Sequence, residues 1–291
     1  MKLGLIGLGR MGAGLMERWR RDGHEVAAYD ANPSVSPTAS IAEMIAQLDT
    51  SPRIVWVMVP AGDVTQKVID EVASNLREGD IIIDGGNSYY RDGVRRAAEL
   101  AQRGIRFLDA GTSGGIWGLE VGFCLMVGGP KDAFDQVEPL FRTLAPKDGY
   151  AYLGPAGAGH FAKMVHNGIE YAMLEAYAEG FDLLQAAEFD YDLGKIASLW
   201  NQGSVVRSWL LELGADALKK DPRLEQLKAY VDDSGEGRWT VNEAIERAVP
   251  VPVIAQSLFA RFDSRDDNSF AMRYIAALRN EFGGHAVKEA K

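Results

Sequence analysis

The sequence predicts an α/β protein in two parts, a doubly wound parallel sheet followed by an all-α C-terminal domain. Short apolar runs alternate with helical patterns over the first half, which is typical of a parallel sheet covered by helices on both faces. A glycine-rich turn follows the first run, and strand-like runs fade after Gly157. We therefore expect two domains, residues 1–156 and residues 157–291, with the boundary in the glycine-rich stretch 154–159.

The predicted strands of the first half are short and mostly apolar, as expected for strands buried on both faces of a sheet. They cover residues 3–8, 25–29, 53–59, 81–84 and 106–109. Helical patterns lie between them at residues 11–21, 64–76 and 93–103.

The second half predicts helices only. The longest covers residues 158–187. Further predicted helices cover residues 192–197, 205–219, 224–230, 241–247, 253–262 and 270–279. Pro222, Pro250 and Pro252 separate several of them, because proline ends or begins a helix more readily than it continues one.

The glycine-rich turn has the spacing of a dinucleotide-binding site. A G-x-G-x-x-G pattern closes the first strand and opens the first helix. Its first glycine permits a tight turn, its second lets the backbone approach a pyrophosphate, and its third lets helix and strand pack closely. The N–H groups at the helix start then bind the phosphates. The sequence predicts a Rossmann-type domain whose turn contacts the cofactor through Gly7, Leu8, Gly9, Arg10, Met11 and Gly12.

Asp30 indicates which dinucleotide is bound. It ends the second predicted strand, where a carboxylate accepts hydrogen bonds from the ribose hydroxyls and repels a 2′-phosphate. The next three residues include no Arg or Lys to receive that phosphate. We expect NAD rather than NADP, with Val59 and Asn87 completing the set of cofactor-binding residues.

Charge and composition exclude several kinds of partner. Lys and Arg number 31 against 41 Asp and Glu, with a formal charge of -10 and no compact basic run, so we expect no nucleic-acid partner. Cys124 is the only cysteine, which excludes a disulfide or a cysteine-ligated zinc site within one chain, and its apolar surroundings predict a buried side chain.

No spacing typical of metal ligands occurs. With no signal-peptide layout and no long apolar span, we expect a cytoplasmic protein that has no membrane partner.

A polar face on the long predicted helix suits proton transfer. At positions i, i+3, i+4 and i+7 it carries Lys163, His166, Asn167 and Glu170. A base and an acid on one rigid helix, separated by hydrogen-bonding groups, suit a reaction that moves protons in two places. The alternative interpretation is a solvated polar stripe on an amphipathic helix.

Three further stretches, taken with the turn and the polar face, resemble a known family. They are residues 83–88 (IDGGNS), 110–115 (AGTSGG) and 279–285 (RNEFGGH). Over essentially the whole chain the set resembles the short form of the decarboxylating 6-phosphogluconate dehydrogenases, in the β-hydroxyacid dehydrogenase superfamily. That superfamily shares the nucleotide motif, the Ser-Gly-Gly turn and a lysine in the place of Lys163. The stretch 166–171 (HNGIEY) narrows the match to the 6-phosphogluconate branch.

The resemblance implies oxidative decarboxylation of 6-phospho-D-gluconate to D-ribulose 5-phosphate with reduction of NAD, a reaction of the pentose phosphate pathway and of gluconate utilisation. Lys163 matches the family's general base, which must be uncharged to begin. Glu170 matches the acid that protonates the enediol carbon, and no metal is required. The positions that hold the carboxylate and hydroxyls of the sugar acid are matched by Asn87, Ser113, Gly114, Gly115, His166 and Asn167.

The match loosens at the phosphate end of the substrate. Tyr171 and Arg261 match phosphate-contacting positions of the family. Ser234, however, stands where the long-form enzymes carry a phosphate-binding lysine. Arg238 lies in the same stretch and is a candidate to compensate, because arginine is well suited to bidentate phosphate binding.

The resemblance also implies an oligomer. Arg279 and His285 match tail residues that reach the substrate from a second subunit in the long enzymes. If they do so here, the smallest functional unit is a homodimer, and a homotetramer is also compatible.

Two other functions stay open. The first is a 3-hydroxyacid dehydrogenase that acts on a smaller or unphosphorylated acid without decarboxylation, an alternative that Ser234 supports. The second is a non-catalytic NAD-binding sensor or scaffold. The presence of both Lys163 and Glu170 disfavours it, because such a protein needs neither proton-transfer residue.

Overall fold

The computed structural model of the chain describes residues 1–283 and residue 288. The chain packs as two compact units, the N-terminal unit Met1–Asn167 and the C-terminal unit that begins at Gly168. The change falls inside a helix that runs without a break from Ala158 to Gln185. The domain boundary expected between residues 156 and 157 stays a prediction.

Seven strands form one sheet in the order β2-β1-β3-β4-β5-β6-β7. The strands are β1 (Lys2–Ile6), β2 (Glu25–Tyr29), β3 (Ile54–Val57), β4 (Ile81–Asp84), β5 (Arg106–Ser113), β6 (Cys124–Gly128) and β7 (Tyr150–Gly154). Neighbouring strands are parallel except β5 and β6, which are antiparallel. The predicted α/β fold is confirmed, with one antiparallel pair that the prediction did not contain. Because the strand order reverses at β1, the crevice beside its carboxyl end is the expected ligand site.

Helices cover both faces of this sheet. They are α1 (Arg10–Arg21), α2 (Ile41–Ala46), α3 (Asp63–Asn75), α4 (Tyr90–Ala101), α5 (Gly118–Val121) and α6 (Lys131–Leu144), and α7 (Ala158–Gln185) begins in the same unit. Two hydrophobic cores result: Ile81 and Ile83 of β4 lie in one, and Ile82 lies in the other. The continuous apolar sequence of β4 follows from burial on both sides.

β5 is longer than predicted. It was expected to end at residue 109, but it continues to Ser113, because its second half pairs with β6 in a register that ends at Ser113 and Cys124. Ser113 therefore lies at the end of a rigid strand. The expected burial of Cys124 is wrong: its side chain is exposed, because the alternation along β6 turns Leu125 and Val127 inward instead.

The described part of the C-terminal unit contains helices joined by turns and no strand, so the predicted all-α domain is confirmed. Besides the rest of α7 it contains α8 (Leu193–Trp200), α9 (Trp209–Lys220), α10 (Glu236–Glu246), α11 (Pro252–Asp263) and α12 (Phe270–Gly283). The helix predicted over residues 224–230 is wrong. Leu224 has a φ of 52°, outside the helical region, and the Asp221 carboxylate accepts a hydrogen bond from the Gln226 N–H at 3.1 Å, so turns replace the helix.

Candidate active site

The glycines of the glycine-rich turn have two different roles, close packing and an open surface for a ligand. A Cβ at Gly7, whose φ is 96°, would lie 2.1 Å from the Met58 carbonyl oxygen, and a Cβ at Gly12 would lie 1.9 Å from the Gly7 carbonyl oxygen. The turn itself therefore requires both glycines. A Cβ at Gly9 would meet no described atom within 4 Å, and among the described residues no side chain caps the start of α1 there. Open space above uncapped helix N–H groups fits a pyrophosphate.

Asp30 lies against this turn. Its Oδ2 accepts a hydrogen bond from the Leu8 N–H at 2.6 Å, and its Oδ1 accepts one from the Asn32 N–H at 2.7 Å. The carboxylate is partly buried at the carboxyl end of β2, beside β1 in the sheet. The location fits a group that accepts hydrogen bonds from a ribose, and the ribose contact itself stays a prediction.

The ends of β3 and β4 border the same crevice. The Val59 Cγ1 would lie 3.2 Å from a Cβ at Gly7, and the Val59 carbonyl oxygen would lie 2.9 Å from a Cβ at Gly86. Asn87 follows Gly86 and is exposed. The fold thus brings the predicted cofactor residues Gly7, Val59 and Asn87 to one edge of the sheet.

A buried ion pair supports the loop after β4, and sequence reasoning missed it. Arg96 of α4 donates from Nη1 to Asp84 Oδ2 at 3.2 Å, and both side chains are buried. The other carboxylate oxygen of Asp84 accepts a hydrogen bond from the Gly86 N–H at 3.2 Å. Arg96 Nε also donates to Gln66 Oε1 at 2.9 Å. The pair ties α4 and α3 to the backbone just before Asn87.

Lys163, His166 and Asn167 form a hydrogen-bonded group with Ser113. Lys163 Nζ donates to Asn167 Oδ1 at 2.7 Å, and both side chains are buried. His166 Nδ1 lies 2.9 Å from the same oxygen, and His166 Nε2 lies 3.3 Å from Ser113 Oγ. An amide oxygen only accepts, so this geometry assigns the proton of a neutral imidazole to Nδ1 and leaves Nε2 to accept from the serine hydroxyl. The predicted base thus joins three predicted substrate residues in one network.

The Ser-Gly-Gly turn next to this network has two glycines in conformations that favour glycine. Gly114 has a φ of 130° and Gly115 a φ of 54°, both in the region that favours glycine. A short 3₁₀ turn, Gly115–Trp117, follows directly. A Cβ at Gly115 would meet no described atom within 4 Å, so the backbone at this glycine is open, as a cradle for an acid requires.

Asp109 is a second buried carboxylate that sequence reasoning missed. Its Oδ1 accepts a hydrogen bond from the Gly157 N–H and its Oδ2 accepts one from the His160 N–H, each at 2.7 Å. The side chain is fully buried on β5. An acidic residue inside an otherwise apolar strand was the available sequence signal, because a buried charge needs partners.

In the C-terminal unit, Tyr171, Ser234 and Arg261 come together. The Arg261 guanidinium lies 3.4 Å from the centre of the Tyr171 ring and donates from Nη1 to the Asp232 carbonyl at 3.0 Å. The Ser234 N–H donates to Tyr171 Oη at 3.2 Å, and the Ser234 hydroxyl donates to Glu236 Oε2 at 2.5 Å. Tyr171 and Arg261, the two predicted phosphate contacts, thus lie next to Ser234.

Arg238 is already engaged. It donates from Nε and Nη2 to both oxygens of Asp233, at 2.7 and 3.0 Å, and Arg265 donates to the same carboxylate at 3.1 Å. The hydrogen bond from Arg238 is the main reason why the pKa of Asp233 is lowered, with Arg265 adding to it. Arg238 therefore offers a phosphate only the N–H groups that remain after this pairing.

The other predicted site residues are less constrained. Glu170 is half-buried on α7, and Arg279 is exposed on α12. His285 lies outside the described residues.

The described part of the chain contains no group of three or more His, Cys, Asp and Glu arranged to hold a metal ion. Among the helices described, none is both long enough and apolar enough to cross a membrane.

Comparison with known proteins identifies the family. Residues 2–154 match the family model for the NAD binding domain of 6-phosphogluconate dehydrogenase, and residues 159–281 match the model for its C-terminal domain. A Haloferax volcanii protein named as an NAD(+)-dependent, decarboxylating 6-phosphogluconate dehydrogenase is 45% identical over 298 residues, which cover 99% of this chain and 98% of the relative. Bacillus subtilis YqeC, provisionally named a 6-phosphogluconate dehydrogenase, is 47% identical over 298 residues, covering 99% of this chain and all of the relative (100%).

The fold comparison agrees. The solved structure of Plasmodium falciparum 6-phosphogluconate dehydrogenase matches with a TM-score of 0.77 and 27% identity, covering 100% of this chain and 67% of that one. The N-terminal part of the present chain is an NAD-binding domain, and the glycine-rich turn with Asp30 fits that cofactor. By both family models and by two full-length relatives, the chain belongs to the 6-phosphogluconate dehydrogenase family.

Proposed function

We propose that the chain catalyses the oxidative decarboxylation of 6-phospho-D-gluconate to D-ribulose 5-phosphate and carbon dioxide, with NAD as the preferred oxidant. The main structural support is the hydrogen-bonded network in the N-terminal unit, formed by Lys163, His166, Asn167 and Ser113. It joins a candidate base to polar groups that suit a polyhydroxy acid. The family relationship supports the same activity.

Lys163 is the proposed general base of the first step. Its amine takes the proton of the substrate's carbon-3 hydroxyl as the hydride leaves carbon 3, and the product is a 3-keto acid. NAD, when bound, supplies the hydride acceptor. Asn167 Oδ1, at 2.7 Å from Lys163 Nζ, restrains the amine to a narrow set of positions, which is what an efficient proton transfer needs.

The second step needs a proton donor at two successive atoms. The protonated Lys163 stabilises the developing enolate oxygen as the carboxylate leaves as carbon dioxide, because a cation beside the carbonyl favours that charge, and it returns its proton to this oxygen. The resulting enediol then takes a proton from Glu170, the proposed acid on α7, at carbon 2 of the substrate, which becomes carbon 1 of ribulose 5-phosphate. Ser113, Gly114, Gly115 and Asn87 are the proposed holders of the carboxylate and hydroxyls, together with His166 and Asn167.

The preference for NAD over NADP rests on Asp30. Its carboxylate, held by the Leu8 N–H at 2.6 Å, would repel a 2′-phosphate brought to the same place. Residues 31–36 contain no Arg or Lys to offset that repulsion. Arg10 is the one basic residue within the glycine-rich turn of residues 7–12, and it is one of the proposed cofactor contacts.

The phosphate of the substrate is proposed to bind at Tyr171 and Arg261. Arg261 lies over the Tyr171 ring at 3.4 Å, so a phosphate beside the ring would meet both a hydroxyl and a guanidinium. Arg279 and His285 are proposed to complete the site from a second subunit. The proposed functional unit is therefore a homodimer or a homotetramer.

A substrate and cofactor matrix tests the proposal. The ratio kcat/KM is measured for 6-phosphogluconate and for gluconate, each with NAD and with NADP. We expect 6-phosphogluconate with NAD to give the highest value. A higher value with gluconate would instead favour the 3-hydroxyacid dehydrogenase that Ser234 keeps open, and no turnover with any pair would favour a non-catalytic NAD-binding protein.

A further inference from the structure

Strand β5 and helix α7 meet at three successive contacts. Asp109 accepts hydrogen bonds from the Gly157 and His160 N–H groups, a Cβ at Gly111 would lie 2.5 Å from the Lys163 Cβ, and Ser113 Oγ lies 3.3 Å from His166 Nε2. Alternate strand residues share a face, and helix residues three apart share a face. One face of β5 therefore meets one face of α7 in a fixed register.

The first contact anchors the helix start. Each Asp109 oxygen takes one main-chain N–H at 2.7 Å, across 48 and 51 residues of sequence. The Gly157 N–H directly precedes α7, and the His160 N–H is one of the groups that an α-helix leaves without intrahelical partners. A carboxylate also interacts favourably with the positive end of the helix dipole. Because Asp109 is fully buried, water does not compete for these bonds.

The second contact leaves Lys163 little freedom. The stem of Lys163 lies directly on the Gly111 backbone, where even a methyl group would be too close. One turn earlier, a Cβ at Gly159 would lie 2.3 Å from the Met126 carbonyl oxygen and 2.6 Å from the Asp109 carbonyl oxygen. The first turn of α7 thus packs on the sheet at backbone contact distance, so a shift at Asp109 is transmitted to Lys163.

We propose that Asp109 is a positioning residue for the oxidation step: by capping α7 it sets where Lys163 stands relative to the Ser113–Gly115 turn. Asp109 touches no substrate atom in this proposal and acts through the helix. The inference rests on the proposed function, because it assigns Asp109 a part in the reaction of that same site.

Asp109→Asn is the direct test. The amide keeps the size of the side chain but offers one acceptor oxygen, and its NH2 group faces a helix N–H, so one of the two caps is lost. We expect kcat with 6-phosphogluconate and NAD to fall on the order of 100-fold, the scale of a reacting group misplaced by about 1 Å, while the KM and the Kd for NAD stay nearly unchanged.

Ser40→Ala is the matched control. Ser40 caps α2 in the same unit by accepting a hydrogen bond from the Glu43 N–H at 3.1 Å, and it lies outside the proposed site. It should lower the Tm without lowering kcat. Equal losses of kcat in the two variants, or an unchanged kcat in Asp109→Asn, would overturn the proposal.

A second readout does not depend on turnover. In the ligand-free chain, the rate at which acetic anhydride modifies Lys163 is followed by mass spectrometry. Lys163 is only 6% exposed, and we expect its modification to be faster in Asp109→Asn and unchanged in Ser40→Ala. A rate unchanged by Asp109→Asn would refute the positioning role. If the wild-type chain does not oxidise 6-phosphogluconate, the proposed function fails while this arm still tests the positioning.

A measurement on the wild-type chain covers the case in which Asp109→Asn does not fold. Amide hydrogen exchange is compared between the α7 start and that of α1, where no side chain cap is described. We expect the Gly157 and His160 amides to exchange as slowly as those of β5. Fast exchange at both amides, as at an uncapped helix start, would contradict the anchoring on which the proposal depends.

Discussion

The three glycines at 9, 12 and 14 allow cofactor binding to be separated from packing. Gly12→Ala is the informative change, because the added Cβ would lie 1.9 Å from the Gly7 carbonyl oxygen and 3.0 Å from its carbonyl carbon. Both atoms belong to the backbone of the turn that is proposed to hold the pyrophosphate. Neither can rotate away, so the helix start and the turn must move apart.

The size of the effect follows from that distance. A carbon–oxygen contact normally needs about 3.3 Å, so roughly 1.4 Å must be found by displacing backbone. Such overpacking costs about 1–3 kcal/mol of stability. Separately, the loss of one charge-assisted hydrogen bond between the displaced N–H groups and a phosphate costs about 1.5–3 kcal/mol of binding free energy, roughly a 10- to 150-fold increase in the Kd for NAD.

Two glycines in the same segment serve as controls. A Cβ at Gly14 would be 3.6 Å from Leu119 and Phe123, an ordinary contact, so Gly14→Ala should bind NAD normally and gain up to about 1 kcal/mol from helix propensity. A Cβ at Gly9 would meet no described atom within 4 Å, so Gly9→Ala should keep the stability of the fold. It should weaken NAD binding, because the Cβ would stand where the backbone approaches the pyrophosphate.

Titration calorimetry with NAD and thermal unfolding of the four proteins decide the matter. The expected pattern is loss of affinity alone for Gly9→Ala, loss of both affinity and Tm for Gly12→Ala, and neither for Gly14→Ala. Full NAD affinity in both Gly9→Ala and Gly12→Ala would refute the assignment of this turn to the pyrophosphate.

Three further substitutions test the proposed base, the cofactor selectivity and the ion pairs of Asp233. Lys163→Met should abolish hydride transfer in stopped-flow measurements of NADH while leaving the Kd for NAD intact; retained turnover would remove Lys163 as the base. Asp30→Ala should weaken NAD binding and lower the ratio of kcat/KM with NAD to kcat/KM with NADP. An unchanged ratio would show that another residue determines the choice of cofactor. Asp233→Asn should cost about 1 kcal/mol at pH 7. Because Arg238 and Arg265 lower the pKa of Asp233, the unfolded chain binds the proton more readily, so this stabilisation is present above the unfolded pKa of about 3.9 and is lost as the pH falls through the folded pKa. The Tm difference from wild type should therefore shrink at low pH, and a constant difference would contradict the ion pairing.

Local features of the fold were predictable from the sequence because their causes are local. The glycine-rich turn lies between a strand and a helix that are adjacent in sequence, so its role follows from order and spacing alone. The polar face of α7 follows from helical periodicity, and the network of Lys163, His166 and Asn167 is its direct result. The apolar run of β4 likewise predicted a strand buried on both sides.

Contacts between distant parts of the chain were not predictable in the same way. Asp109 and Asp84 lie in apolar strands, which signals that each needs a partner, but not that the partners are the α7 start and Arg96. The extension of β5 to Ser113 depends on antiparallel pairing with β6, which local propensity does not reveal. The sequence alone leaves Arg238 as a candidate for the phosphate, and its pairing with Asp233 depends on the tertiary fold. In each case the missing information was which surfaces the tertiary fold brings together.

The proposed enzyme both oxidises and decarboxylates the sugar acid on one chain. The most direct test supplies 6-phosphogluconate labelled at carbon 1 with NAD and measures labelled carbon dioxide and NADH in the same sample. We expect equal amounts of the two products, with ribulose 5-phosphate as the remaining carbon skeleton. NADH formed without labelled carbon dioxide would contradict it, because the enzyme would then be a dehydrogenase that leaves the carboxylate in place.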